Sequence, residues 1–162
     1  MKTYDLIVIG NGSGSTIVDQ ALTHGLSVAL IDNPPIGGTC QNYGCIPSKM
    51  LIFPADRIVE IQNAKKLGIT ASIDEIDFQA IMERMKKNRR ESQQYQEEGI
   101  GTVENLDYYS GKCSFLNDYI LEINNQKISS KKIVIAAGSR PLIPPIKGLE
   151  EVDYLTNESL LE

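Results

Sequence analysis

The sequence predicts an α/β chain: a parallel sheet flanked by helices, with a small antiparallel β-insert. Three observations predict it. Continuous apolar runs at residues 6–9, 27–31 and 133–136 read as strands covered on both faces, because a strand with one wet face would alternate. The first run leads through a glycine-rich turn and a helix into the second, a strand–helix–strand unit. Between about 104 and 130 the texture changes to short runs parted by Gly and Asn pairs, the pattern of antiparallel strands.

Taken in order, residues 6–9 form the first strand and Gly10-Asn11-Gly12-Ser13-Gly14-Ser15 the turn. A helix then runs to about His24, with Gly25 as its C-terminal stop. Residues 27–31 form the next strand, closed by Asp32. Asn33-Pro34-Pro35 breaks the chain, and from about Pro47 to Leu67 the spacing of Leu51, Ala55 and Ile58 is helical, with Pro54 a kink position. Phe78, Ile81, Met82 and Met85 begin a second long helix. Its continuation to Glu98 is polar except for Tyr95 and is expected to project into solvent. Residues 106–109, 113–116 and 119–123 are assigned to the β-insert, 133–136 to a further apolar strand, and 146–162 to a connector.

The 162 residues are 41% hydrophobic and 23% charged, which suits one sizeable core and excludes global disorder. A formal charge of −5 gives no footprint for nucleic acid. No apolar run reaches the roughly 18 residues of a membrane span, and no signal-peptide pattern is present, so no membrane partner and a cytoplasmic location are expected. Three cysteines are too few, and odd in number, for a disulfide-stapled scaffold. The cluster Lys86, Lys87, Arg89 and Arg90 precedes Glu91, Glu97 and Glu98 and reads as a solvated helix face.

The turn after the first strand carries chemistry. In a Gly-x-Gly-x-x-Gly turn the backbone passes close to a pyrophosphate, and the next helix aims its N-terminal N–H groups at the charge. Gly10 makes the tight turn, Gly12 gives close approach, Gly14 lies within it, and Ser15 stands at the third position. Asp32 lies 22 positions after Gly10, near the spacing of about 20 for a ribose-binding acid. The unit is expected to bind a dinucleotide.

Cys40 and Cys45 have four residues between them. Positions five apart in a regular helix rise about 7.5 Å and face apart, while a disulfide needs Cα atoms about 4.4–6.8 Å apart. An irregular turn entering a helix is therefore expected, which Gly37, Gly38 and Gly44 permit and Pro47 suits. A helix start also favours thiolate. A structural staple of this loop contributes only about 2 kcal/mol. Zinc is an alternative, with Cys113 and His24 as further ligands, but both are isolated and His24 fits a solvated or capping role. Two unpaired core thiols are a third alternative. A redox-active pair is favoured, with no resident metal.

Gly37-Gly38-Thr39-Cys40-Gln41-Asn42-Tyr43-Gly44-Cys45-Ile46-Pro47-Ser48-Lys49 resembles the active-site signature of class I pyridine nucleotide–disulfide oxidoreductases. These are flavoproteins that include dihydrolipoamide dehydrogenase and the glutathione, mycothione and mercuric reductases. Residues 133–141 resemble that group's second flavin-contacting strand, with Ala137 where Thr is more usual. The resemblance implies a Rossmann-like FAD/NAD(P)-binding domain, the N-terminal part of a larger multidomain fold. Residues 1–145 would belong to the FAD-binding domain, with the redox segment at 37–49 and the β-insert at about 104–130. Residues 146–162 would lead toward an absent NAD(P)-binding domain.

By resemblance, Gly10, Gly12, Gly14 and Ser15 hold the FAD pyrophosphate, and Asp32, usually Glu in the family, holds the adenosine ribose. Cys45 is the thiol beside the flavin and Cys40 the interchange thiol. Gly38, Thr39 and Lys49 lie on the flavin side, Ala137 and Gly138 beside the cofactor, and Cys113 where backbone passes the adenine. The function implied is electron transfer between NAD(P)H, FAD, the Cys40–Cys45 pair and a small disulfide or dithiol, as in dihydrolipoamide dehydrogenase. A flavin-free thiol module and a nucleotide- or soft-metal-binding protein are the alternatives. The full-length parent is expected to be a homodimer, and the chain alone, an incomplete portion, is expected to be inactive.

Overall fold

The computed structural model describes residues 1–162. Its strands are β1 (Lys2–Tyr4), β2 (Leu6–Ile9), β3 (Val28–Asp32), β4 (Leu106–Ser110), β5 (Cys113–Asn117), β6 (Ile120–Ile123), β7 (Gln126–Ser130) and β8 (Ile133–Ile135). Its helices are α1 (Gly14–Thr23), α2 (Gly38–Tyr43), α3 (Cys45–Asn63) and α4 (Phe78–Ile100), with short 3₁₀ turns at Ala64–Leu67 and Leu149–Glu151.

The chain's contacts fall into two compact units. The first comprises Met1–Thr39 and Ser92–Arg140 and holds both sheets. One sheet has the order β4-β3-β2-β8 and is parallel throughout, with Leu6 opposite Val28, Ile7 opposite Ile133 and Ile31 opposite Tyr109. In the other, β5, β6 and β7 are antiparallel neighbours and β1 adds in parallel to β7, Lys2 opposite Ile128.

The first apolar run does not alternate because it is covered twice. Leu6 and Val8 pack with Val18 and Ala21 of α1 and with Val28 and Leu30. Ile7 turns the other way, into a cluster with Tyr4, Ala29, Ile31, Leu121, Ile123 and Ile128 that joins the two sheets. α1 stops where its sequence breaks. His24 caps the last turn, its Nδ1 lying 2.8 Å from the Gln20 carbonyl oxygen, and Gly25 takes a left-handed φ of +72°.

The second unit comprises Cys40–Glu91 and Pro141–Glu162. α3 runs through Pro54 without ending there, and Met85 of α4 is fully buried.

Several expectations change. β4 joins the parallel sheet beside β3, so the antiparallel part begins at Cys113 rather than near 104. β1 had no apolar signature and was not foreseen. The second half of α4 does not simply project into solvent. Tyr95 is exposed, yet Arg89, Ser92, Gln93, Gln96 and Ile100 are half-buried at helical spacing. Leu161, within the 146–162 stretch, is buried.

Candidate functional site

The first unit gathers the turn after β2. Gly10 has φ +104°, and a Cβ there would lie 2.2 Å from the Ala136 carbonyl oxygen. Its N–H donates to Ile31 at 2.7 Å, and the Ala136 N–H donates to Ile9 at 2.7 Å. The turn is pinned between β3 and the end of β8, where only glycine fits. Gly14 opens α1 against the sheet: a Cβ there would meet Val8 Cγ1 at 2.8 Å and the Ala136 Cβ at 3.3 Å. Close helix–strand packing, the usual task of the third motif position, therefore falls here to Gly14 rather than to Ser15. Ser15 turns back instead, its hydroxyl donating to the Gly12 carbonyl at 2.9 Å.

Gly38 closes this cradle. At φ +67°, a Cβ on it would stand 2.5 Å from the Gly12 Cα. Thr39 beside it is exposed. α1 begins behind Ser13, which makes no side-chain capping bond, so its first N–H groups retain capacity for an outside acceptor.

Asp32 ends β3 half-buried. Its Oδ1 accepts the Asn33 N–H at 3.0 Å, and the Asn11 backbone N–H also faces the carboxylate. Its Oδ2 is buried and has no partner. Burial pushes the Asp32 pKa up, against the two backbone donors. A buried acceptor without a donor is costly.

Ala137 and Gly138 follow β8, and both are exposed. Gly138 keeps a left-handed φ of +72° with open space around it. Cys113 opens β5 half-buried against the cluster that joins the sheets, and burial pushes its thiol pKa up.

The second unit holds the thiol pair. Cys40 lies in the short helix α2 and Cys45 is the first residue of α3, with Gly44 between the helices at φ −144° and ψ −112°. The segment is thus two helices broken at one glycine, not the irregular turn expected. Both thiols are free and exposed. They are hydrogen-bonded to each other, and the Cys45 backbone N–H also donates to the Cys40 sulfur.

The thiol–thiol bond pushes the Cys40 pKa up. The expectation that a helix start favours the thiolate is not met at Cys40, because its thiol donates to Cys45 and the six-residue α2 offers little dipole against that bond. No group of three or more His, Cys, Asp or Glu side chains gathers anywhere, so the four zinc ligands considered above are not brought together.

Beside Cys45 lies a cleft of about 450 Å³. Ile46, Lys49, Met50 and Phe53 line it at the successive turns of α3, and Arg84 closes it from α4, donating to the Met50 carbonyl at 3.2 Å. Its walls are mainly apolar and its cations are Lys49 and Arg84. Lys49, exposed on α3, shares this cleft with Cys45.

Sequence reasoning missed Arg89. Grouped with a solvated cationic face, its side chain is only 13% exposed. It donates to the carbonyls of Asn42 and Leu161, each at 3.4 Å, and pairs with Glu162 at 3.2 Å. Nothing in the run of charges marks it, because its acceptors are mainly backbone carbonyls.

The chain is similar to known proteins. Residues 4–161 match the family model described as pyridine nucleotide-disulphide oxidoreductase. The chain is 36% identical over 162 residues to the mercuric reductase of Staphylococcus aureus, covering 98% of the chain and 29% of that protein. It is 32% identical over 167 residues to the mycothione reductase of Mycobacterium tuberculosis, covering 99% and 36%. Among solved structures, the HOCl-induced flavoprotein disulfide reductase RclA from Escherichia coli superposes with a TM-score of 0.80 at 27% identity, over 98% of the chain and 34% of RclA. The chain thus spans about a third of the length of each of these relatives. It belongs to the pyridine nucleotide-disulphide oxidoreductase family.

Proposed function

We propose that the chain is the FAD-holding, sulfur-bearing portion of an NAD(P)H-dependent disulfide oxidoreductase that exchanges electrons with a small dithiol or disulfide, as dihydrolipoamide dehydrogenase does. FAD is the family's cofactor, and three observations support its fit: the glycine cradle that a Cβ would fill, the uncapped start of α1, and the unpartnered Asp32 Oδ2. In this reading Gly10, Gly12, Gly14, Ser15 and the start of α1 receive the pyrophosphate, and Asp32 accepts from the ribose. Gly38, Thr39, Cys113, Ala137, Gly138 and Lys49 complete the cofactor's surroundings. Bound FAD supplies two-electron exchange with nicotinamide on one side and with the sulfur pair on the other.

The observation that carries the reading is the hydrogen-bonded pair of exposed thiols flanking a single glycine break. Cys40 gives its proton to solvent and attacks a substrate disulfide, releasing one substrate thiol and leaving a mixed disulfide. Cys45, giving its proton to solvent, then attacks the Cys40 sulfur, releasing the second substrate thiolate and closing the Cys40–Cys45 bond. Two electrons have passed from the pair to the substrate, and the released thiolates take up two protons. The cleft at Cys45 presents mainly apolar walls beside the pair, and Lys49 and Arg84 hold positive charge there. The parent enzyme acts as a homodimer in the cytoplasm, where free thiols persist, and the chain by itself does not turn over nicotinamide.

The mercuric reductase relatives favour a second reading, in which the thiol pair receives Hg(II) as substrate. Purification of the full-length parent enzyme and its Cys40→Ser and Cys45→Ser variants decides. A yellow flavin spectrum, with NAD(P)H oxidation driven by lipoamide or glutathione disulfide and abolished in both variants, is the expected result. Oxidation driven only by Hg(II) points to the second reading. A colourless protein with a titratable thiol pair overturns the flavin assignment.

A further inference from the structure

α2 ends at Tyr43, and Gly44 prevents the helix from continuing into α3. The last carbonyls of a helix have no partner within it and must find one elsewhere. Those of Asn42 and Tyr43 lie between the two cysteines in sequence, and each has a side-chain donor from a distant part of the second unit. Arg89 of α4 reaches the Asn42 carbonyl at 3.4 Å, and the Asn157 amide reaches the Tyr43 carbonyl at 3.2 Å. The clamp is sheltered: Asn42 is fully buried and the Arg89 side chain is only 13% exposed. Arg89 also holds the Leu161 carbonyl and pairs with Glu162, so the residue-157–162 stretch is fastened to the cysteine segment at two points.

We propose that Arg89 and Asn157 are positioning residues for the thiol pair, and that by fixing the Asn42 and Tyr43 carbonyls they set how readily Cys40 and Cys45 close into a disulfide. This rests on the redox reading of the pair given above. The glycine break leaves the two cysteine-bearing segments free to pivot about one residue. Donors bound on both carbonyls before the pivot remove that freedom. Closing the S–S bond costs the pair two protons and two electrons and needs a short, specific sulfur approach. A segment held near that approach loses less entropy on closing than one that pivots. Neither residue touches a sulfur, so their influence is exerted through the backbone alone.

The test uses the full chain in wild-type form and as Arg89→Met, Arg89→Lys and Asn157→Ala, with folding checked by circular dichroism. The dithiol–disulfide equilibrium is titrated in glutathione buffers. Cys40 alkylation is followed against pH by site-resolved mass spectrometry. Arg89→Met and Asn157→Ala are expected to shift the equilibrium constant toward the dithiol by at least about threefold, ~14 mV for a two-electron couple. Cys40 alkylation moves to lower pH as its bond to Cys45 loosens, and Arg89→Lys, which keeps a donor, recovers part of both effects. Folded Arg89→Met and Asn157→Ala chains with the wild-type constant and alkylation profile overturn the proposal. Where Arg89→Met does not fold, Asn157→Ala alone decides. A wild-type chain that closes no disulfide in any buffer defeats the redox reading, while the alkylation profiles still decide the clamp.

Discussion

Gly38 and Gly12 meet backbone to backbone: the Cβ that Gly38 lacks would fall 2.5 Å from the Gly12 Cα and 3.1 Å from its nitrogen. One glycine belongs to the dinucleotide turn and the other opens the helix that carries Cys40. Sequence distance hides this contact, yet it decides which residues either place accepts.

Gly38→Ala combines overpacking, about 1–3 kcal/mol, with a left-handed φ that alanine avoids, about 1 kcal/mol more. Urea unfolding is expected to show a loss of that order, with FAD retention falling alongside. An alanine chain of unchanged midpoint refutes the contact.

Asp32→Asn separates stability from cofactor binding. The Asp32 pKa is raised, so the folded chain binds its proton more tightly than the unfolded one. Stability from this group is therefore present at low pH and lost as pH rises through the folded pKa. At neutral pH Asp32→Asn is expected to melt no lower than wild type without cofactor, and FAD affinity to fall roughly tenfold as a charge-assisted bond is lost. Thermal melts from pH 4 to 7, with and without FAD, measure both.

Cys45→Ala removes the side chain that raises the Cys40 pKa. The Cys45 backbone N–H to the Cys40 sulfur survives the change. Iodoacetamide labelling of Cys40 should accelerate at neutral pH relative to wild type, since more of it is thiolate. Cys113, half-buried with its pKa raised by burial, should label slowly in both.

Asp107 accepts bonds from Lys2 and Tyr4, and Tyr4 shares a 2.6 Å bond with Tyr109. The Asp107 pKa is lowered, chiefly by Lys2 and then by Tyr4. Its contribution is present above the unfolded pKa and lost as pH falls through the folded one. Tyr4→Phe takes one of two donors from Asp107, which keeps Lys2, and removes the partner of the Tyr109 hydroxyl, and is expected to cost about 0.5–1.5 kcal/mol at pH 7. Denaturation at pH 7 and pH 3 should show the difference shrinking in acid.

The sequence states most plainly what is local and repeated. The β2–turn–α1–β3 unit was legible because an apolar run, spaced glycines and a helix stop coincide within 32 residues. The cysteine pair was legible because its flanking signature is long. Sheet membership was not: Leu106 to Tyr109 reads as a strand, but nothing within it says that it pairs with β3 rather than β5. β1 is three residues long and begins with Lys and Thr, so burial of Tyr4 depends on partners about 120 residues away. Arg89 looked like its charged neighbours because its acceptors, two backbone carbonyls, leave no mark in the sequence. Gly14 displaced Ser15 as the packing residue because steric contact, not motif position, settles which hydrogen must stay small.

β1 and β2 are made well before two of their partners, β7 and β8, which follow more than about a hundred residues later. With synthesis at about 5–20 residues per second, on the order of ten seconds pass before Ile7 can reach Ile133. During that interval Leu6 to Ile9, β-prone and uncharged, stays one-sided and open to aggregation.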